Sequence, residues 1–159
     1  MMRVTIMLIA SALLTGAPAA AQQATSGPRL GPDVLARNAR ARGVVTTPSG
    51  LQYRILESGP RSGDRPGATD QVTFHYEGRL LTGAAFDSSF ERGQPLTGAV
   101  NRFVPGFTEA LKLMRPGDEW IVFIPPALGY GDRAAGEIPP GSVLQFRLKL
   151  LSIGSPPST

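Results

Sequence analysis

The chain contains no cysteine. That excludes disulfides, a thiolate nucleophile and thiolate metal sites, so stability has to come from packing and backbone pairing. It also excludes lipid attachment at a processed N-terminal cysteine. Histidine is nearly absent: His75 is the only one in 159 residues. One imidazole with dispersed carboxylates offers no metal-ligand set, and no metal or other cofactor is expected. Lysine is scarce, 2 residues against 14 arginines, and the basic residues are interleaved with acids. The formal charge of +4 then describes a solvated surface, and no nucleic-acid partner is expected. No apolar run reaches the roughly 20 residues that span a bilayer. There is no G-x-S-x-G elbow, and the glycines of "GYGDRAAGEI" lack a P-loop lysine.

What is present begins with an export pattern. Arg3 precedes a mostly apolar run from Val4 to Leu14, and "GAPAAAQQ" follows, with Ala19, Ala20 and Ala21 fitting a small-x-small cleavage site. Residues 1–21 read as a secretory signal peptide cut near Ala21/Gln22. The competing reading, a membrane anchor, fails on length. The mature form is expected in the periplasm or secreted, without a membrane anchor. Residues 22–49 are an N-terminal extension. Within it "DVLARNARARG" predicts a short helix, with Asp33 as N-cap and Gly43 as stop, and "VVTTPSG" reads as a linker.

From residue 50 to 153 the pattern is that of one domain, followed by a tail at 154–159. Period-two alternation marks "LQYRILE", "QVTFHYEGRL" and "VLQFRLKLLSI" as strands. "EWIVFIP" is apolar on both faces, as in a covered central strand. Residues 91–101 read as irregular or a weak strand. Helical spacing of Phe107, Ala110, Leu111 and Met114 marks one helix, entered at Pro105-Gly106 and ended by Pro116-Gly117. The sum is an α+β domain, several antiparallel strands with one helix across a sheet face.

The stretch "FDSSF", residues 86 to 90, sets an acid and two hydroxyls between two rings. A serine nucleophile needs a base and a group to orient it. By alternation His75 lies on the polar side of its strand, a poor base, and "DSS" is a common turn sequence. Serine hydrolysis is not expected, and Ser88 and Ser89 read as turn residues without catalytic role. Asp87 is either a turn acid satisfied by local donors or a functional carboxylate. Phe86, Phe90, Phe103, Phe107 and Tyr130 lie in irregular segments. Singly each reads as core closure; together, with Pro139-Pro140, they suggest an apolar pocket with few polar groups.

These residues also carry a resemblance. "VTFHYEGRLLTGAAFDSSFERGQPL" followed by "VPGFTEALKLMRPGDEWIVFIPPALGYGDRAAGEIPPGSVLQFRLKLLSI" closely resembles the FKBP-type peptidyl-prolyl cis-trans isomerases, over about Gly50 to Ile153. "TTPSGLQYRIL" looks like the entry segment of exported bacterial members. The resemblance implies a twisted, mostly antiparallel five- or six-stranded sheet wrapped around one short helix. It implies a catalytic set of Tyr76, Phe86, Asp87 and Tyr130. The substrate-binding residues it implies are Arg92, Leu96, Phe103, Val104, Phe107, Ile138 and Phe146. Two positions depart from the family: Leu96 is aliphatic where an aromatic is usual, and Phe107 stands where a tryptophan often floors the pocket. No residue between Asp132 and Gly136 is carried over.

The implied activity is isomerisation of X-Pro bonds in exported proteins as they fold, with no cofactor. The implied partners are proline-containing unfolded polypeptides and macrolide inhibitors such as tacrolimus or rapamycin. The alternative is a non-catalytic module or chaperone holding proline segments in the same pocket. Some exported relatives dimerise through long N-terminal helices. The helix expected here is short, and a monomer follows.

Overall fold

The computed structural model describes residues 30 to 154. The expected signal peptide at 1–21, the start of the extension and residues 155–159 of the tail lie outside them. In chain order the described residues form helix α1 (Leu30–Asn38) and strands β1 (Val44–Thr46), β2 (Gln52–Glu57), β3 (Gln71–Leu80) and β4 (Ala85–Ser88). The single-turn helix α2 (Ser89–Arg92) and strand β5 (Leu96–Ala99) follow, then helix α3 (Pro105–Leu113) and strands β6 (Glu119–Ile124) and β7 (Leu144–Gly154).

The strands make one antiparallel sheet of seven, ordered β1-β2-β6-β7-β3-β4, with β5 also on β3. Residues 71–74 of β3 pair with β5 and residues 77–79 with β4, so two short strands share one edge of the longest ladder. Alternation decides which face is buried. Val72, Phe74 and Tyr76 of β3 and Leu144, Phe146, Leu148 and Leu150 of β7 all point into the core.

Helix α3 lies against that face. It starts at Pro105, where a missing N–H costs nothing. Phe107, Ala110, Leu111 and Met114 are fully buried. At roughly 1.5–3 kcal/mol for each large apolar side chain, this stripe supplies most of the helix's hold on the sheet. Leu111→Ala is the change most apt to loosen it, at about 2–5 kcal/mol. The N-terminal end of α3 comes close to β6: a Cβ at Gly106 would lie 2.7 Å from Ile124 Cγ2. That approach fixes where Phe103, Val104 and Phe107 sit.

Three local expectations are corrected. Helix α1 runs Leu30–Asn38, not Asp33 to Gly43. Pro32 fits its first turn, and Asp33 lies inside that turn instead of capping it. Residues 39–43 are exposed and offer no apolar face to extend it. The expected linker at 44–50 is a strand and turn: Val44 and Val45 pair with Arg54 and Tyr53, and Gly50, at φ 94°, closes the turn onto β2. This adds a strand to the expected five or six. Finally, β2 breaks strict alternation. Gln52 is buried because its Nε2 donates to Leu35 O of α1 (2.8 Å), while Ile55 stays 47% exposed beside a bulge.

Candidate active site

Tyr76, from the inward face of β3, is 1% exposed. Strand β4 runs antiparallel to the far half of β3 and brings Asp87 beside it. The Tyr76 hydroxyl donates to Asp87 Oδ2 at 2.5 Å. Arg92, at the end of α2, donates through one terminal nitrogen to Asp87 Oδ1 and through the other to the Tyr76 hydroxyl (2.9 Å). Its guanidinium also lies over the Tyr76 ring, 5.6 Å from the centroid. Both carboxylate oxygens of Asp87 are thus engaged, in a side chain 6% exposed. This is an orienting arrangement, in which each carboxylate oxygen accepts one hydrogen bond from a neighbour that it positions.

Electrostatics agree. Burial first, and then the Asp87 hydrogen bond, push the Tyr76 hydroxyl up to about 12, partly opposed by Arg92. Tyr76 therefore stays a protonated donor at neutral pH. The Asp87 and Tyr76 hydrogen bonds hold the Arg92 guanidinium above its ordinary value. Tyr130 is also pushed up, by burial and then by the Asp87 charge, which puts it within the field of the same carboxylate.

Around this network the rings meet edge to face, except Phe103 and Phe107, which are tilted by 50°. Phe86 meets Phe146 at 5.6 Å and 87°, and Phe146 meets Phe107 at 5.1 Å and 86°. Phe103 packs on Phe107 at 5.2 Å, and Tyr76 on Phe107 at 6.5 Å. Gly78 makes room for this: a Cβ there would lie 2.5 Å from Phe86 and 2.8 Å from Phe146.

Of the residues expected at the site, Tyr76, Phe107, Ile138 and Phe146 belong to the buried core cluster. Phe86, Leu96, Phe103, Val104 and Tyr130 are half-buried and pack against it. Leu96 pairs with Phe74 across β5 and β3. Phe107, expected as a floor, is fully buried beneath its neighbours and acts as backing for Phe103 and Phe146. Arg92 is bound up with Asp87 and Tyr76, so its guanidinium serves the network before any ligand.

Two serines matter more than a turn reading allows. Ser88 is the N-cap of α2, accepting from Glu91 N–H (3.3 Å), and Gly93 ends that turn at φ 66°. "SSFE" is a capping-box pattern, so this signal was present in the sequence. Ser89 is fully buried. Its Oγ accepts from Tyr76 N–H (2.8 Å), sits 3.2 Å from Tyr76 O, and lies 3.0 Å from His75 Nδ1. His75 in turn stacks on Phe90, with centroids 4.9 Å apart. A Ser–His contact therefore exists, yet it is no catalytic dyad. The hydroxyl is enclosed and committed to backbone groups.

The family described as FKBP-type peptidyl-prolyl cis-trans isomerase matches residues 63–151. A domain described as amino terminal to FKBP-type peptidyl-prolyl isomerase matches residues 9–55. The chain is 43% identical over 135 residues to the FKBP-type isomerase FkpA of Aeromonas hydrophila, covering 85% of this chain and 50% of that protein. It is 48% identical over 120 residues to the FKBP-type 22 kDa isomerase of Escherichia coli, covering 75% and 57%. The chain spans about half the length of these curated relatives. Among solved structures, FkpA from Escherichia coli superposes with a TM-score of 0.74 at 36% identity, covering 80% of this chain and 59% of that one. An isomerase from Pseudomonas syringae gives 0.74 at 29% identity, covering 83% and 100%.

Proposed function

The chain belongs to the FKBP-type peptidyl-prolyl cis-trans isomerase family, and on that footing we propose that it accelerates isomerisation of X-Pro bonds while exported polypeptides fold. One observation carries the reading: a Tyr76–Asp87–Arg92 network set against the rings of Phe86, Phe146 and Phe107.

The chemistry suits such a site. Resonance holds an amide C–N bond planar with a barrier of about 18–20 kcal/mol. X-Pro bonds cross it in tens to hundreds of seconds uncatalysed. Rotation breaks no covalent bond and needs no nucleophile or metal. The twisted amide is less polar than the planar one, so an apolar pocket that strips water from it favours the transition state. Each 1.4 kcal/mol or so gained is tenfold in rate.

In this reading Phe86 is a wall of the proline pocket, with Leu96, Phe103 and Val104 lining it and Phe107, Ile138 and Phe146 behind. Asp87 orients Tyr76 and Arg92, and Tyr130 donates a hydrogen bond to a substrate carbonyl. A protease-coupled assay on short X-Pro peptides tests this. Catalysis inhibited by tacrolimus or rapamycin is expected. Binding of proline segments without turnover would replace the enzyme with a holding module.

Arg3, the apolar run Val4–Leu14 and Ala19–Ala21 support export, with maturation near Gln22 and a periplasmic or secreted location. Intact mass of the exported protein should begin there; retention of Met1 in the cytoplasm would reverse the assignment. The short helix expected within residues 33–43 supports a monomer, and a dimer mass by light scattering would overturn it.

A further inference from the structure

At the C-terminal end of α3, away from the end that carries Phe103 and Phe107, a cavity of about 370 Å³ lies among β2, the 58–65 loop, the α3–β6 turn and β6. The length of α3, nine residues at 1.5 Å each or about 13 Å, separates it from the isomerase site.

Three arginines, Arg61, Arg65 and Arg115, line it with one acid, Asp118. Asp118 is occupied by backbone: Oδ1 accepts from Gly59 N–H (2.7 Å) and Oδ2 from Arg115 N–H (2.9 Å). Arg115 donates through Nε to Gly63 O (2.9 Å), which leaves its terminal nitrogens uncommitted among the described residues. Arg61 and Arg65 make no ion pair among the described residues. The loop that carries them is not loosely held. Gly59 packs so tightly on the Pro116–Gly117 backbone that a Cβ would fall 2.1 Å from Pro116 O. Arg61 and Arg65 are exposed, so the surplus positive charge at this cavity faces solvent from a loop whose backbone is anchored at Gly59.

The other wall is aromatic. Tyr53 and Trp120 stack at 4.2 Å and 12°. Trp120 is 4% exposed, and its indole Nε1 has no hydrogen-bond partner among the described residues. The indole N–H is itself sealed from solvent, so it stands behind the cavity wall and Trp120 contributes there through its ring.

We propose that this cavity binds a small organic anion, a carboxylate or phosphate monoester borne on a flat apolar body. The guanidinium forks match such oxyanions in bidentate geometry, and half-buried Tyr53, backed by Trp120, takes the body. The volume lies at the small end of the range for ligand pockets, about 300–1,000 Å³. The proposal does not depend on the isomerase reading.

Trp120 is the only tryptophan, so fluorescence excited selectively at the indole, beyond the absorption of the three tyrosines, reports on this cavity. The probe is phenyl phosphate, titrated into the full chain beside inorganic phosphate and phenol. A saturable change in emission is expected with phenyl phosphate, weakening as salt is added. Inorganic phosphate and phenol should each bind more weakly. The double substitution Arg61→Gln, Arg65→Gln should raise the apparent Kd about tenfold or more through loss of charge-assisted bonds. An unchanged melting curve and unchanged isomerase rate would show the fold intact, and Arg65→Gln alone serves if the double variant is unstable. No saturable change with phenyl phosphate, phenol binding as tightly, or a folded Arg variant with undiminished affinity would each overturn the site.

Discussion

Ser89 Oγ lies 2.8 Å from the amide nitrogen of Tyr76 and 3.2 Å from its carbonyl oxygen, so one hydroxyl holds both backbone polar groups of a single residue. The reason is a gap in the sheet. On that edge β3 pairs with β5 only as far as Phe74 and with β4 only from Glu77. Tyr76 falls between the two, and Ser89 stands in for the missing strand. Because the Tyr76 hydroxyl is also bonded to Asp87, strand and loop are tied twice, by backbone and by side chain.

Ser89→Ala should therefore destabilise the protein, contrary to the silent turn residue that "DSS" suggests. It leaves two buried backbone groups unpaired, at about 1–3 kcal/mol for such a group. Ser88→Ala loses only the α2 cap, about 1 kcal/mol. Urea unfolding of the two variants should rank them in that order. A Ser89→Ala midpoint equal to the parent's would refute the strand-substitute role. Its kcat/KM should fall as well, since Tyr76 loses the anchor that sets its hydroxyl against Asp87.

Gly78→Ala tests the ring geometry without touching a polar group. The added methyl would sit 2.5 Å from Phe86 and 2.8 Å from Phe146, so both rings must move. Overpacking of this kind costs about 1–3 kcal/mol. If the Phe86–Phe146 arrangement shapes the pocket, isomerisation should slow in a protein that remains folded by circular dichroism. Full activity in a folded variant would separate that ring pair from catalysis.

Much of the fold was legible because its carriers are local. Period two in β3 and β7, and the stripe Phe107, Ala110, Leu111 and Met114, each read directly as a buried face. The loop aromatics suggested a pocket collectively, but the roles proposed for single residues rest on resemblance, since a ring in a loop looks the same whether it closes a core or lines a pocket. Other features depend on partners distant in sequence. Val44–Thr46 becomes a strand because Gly50 turns it onto β2. Ser89 becomes structural because β4 and β5 leave a gap on β3. The glycine of "YEG" shows its purpose only when Phe86 and Phe146, 60 positions apart, converge on it. The α2 capping box was readable locally, but a four-residue helix is easily read as a plain turn.

The buried Tyr76 hydroxyl predicts a stability loss at high pH. Its pKa is raised from 10.0 to about 12 in the folded state. Below pH 10 folded and unfolded chains both keep the proton, and the contribution is fully present. From pH 10 to 12 the unfolded chain releases it while the folded chain does not, so stability falls as pH rises. Two pH units correspond to about 3 kcal/mol. Denaturant titrations at pH 9, 10, 11 and 12 should show a smaller fall in Tyr76→Phe than in the parent. Identical pH dependence in the two proteins would contradict the buried, neutral hydroxyl.

Relative mutant rates distinguish desolvation from covalent catalysis. If the pocket works by excluding water and orienting the amide, no single polar residue is indispensable. Tyr130→Phe removes one hydrogen bond, typically about 0.5–1.5 kcal/mol, and should cost roughly tenfold or less in kcat/KM. Phe86→Ala removes a wall, breaks the edge-to-face contact with Phe146 and admits water, so its loss should be the largest of the set. Asp87→Ala should fall between them. It frees Tyr76 and Arg92 from their shared carboxylate but leaves the rings in place. Ser89→Ala, corrected for any unfolded fraction, should retain measurable turnover, because its hydroxyl is enclosed and bonded to Tyr76. A nucleophilic mechanism demands the reverse order, with the serine variant inactive and Phe86→Ala active. Measuring kcat/KM on one X-Pro peptide, with unfolding curves for each protein, decides between them. A fully folded Ser89→Ala protein without activity would end the desolvation mechanism.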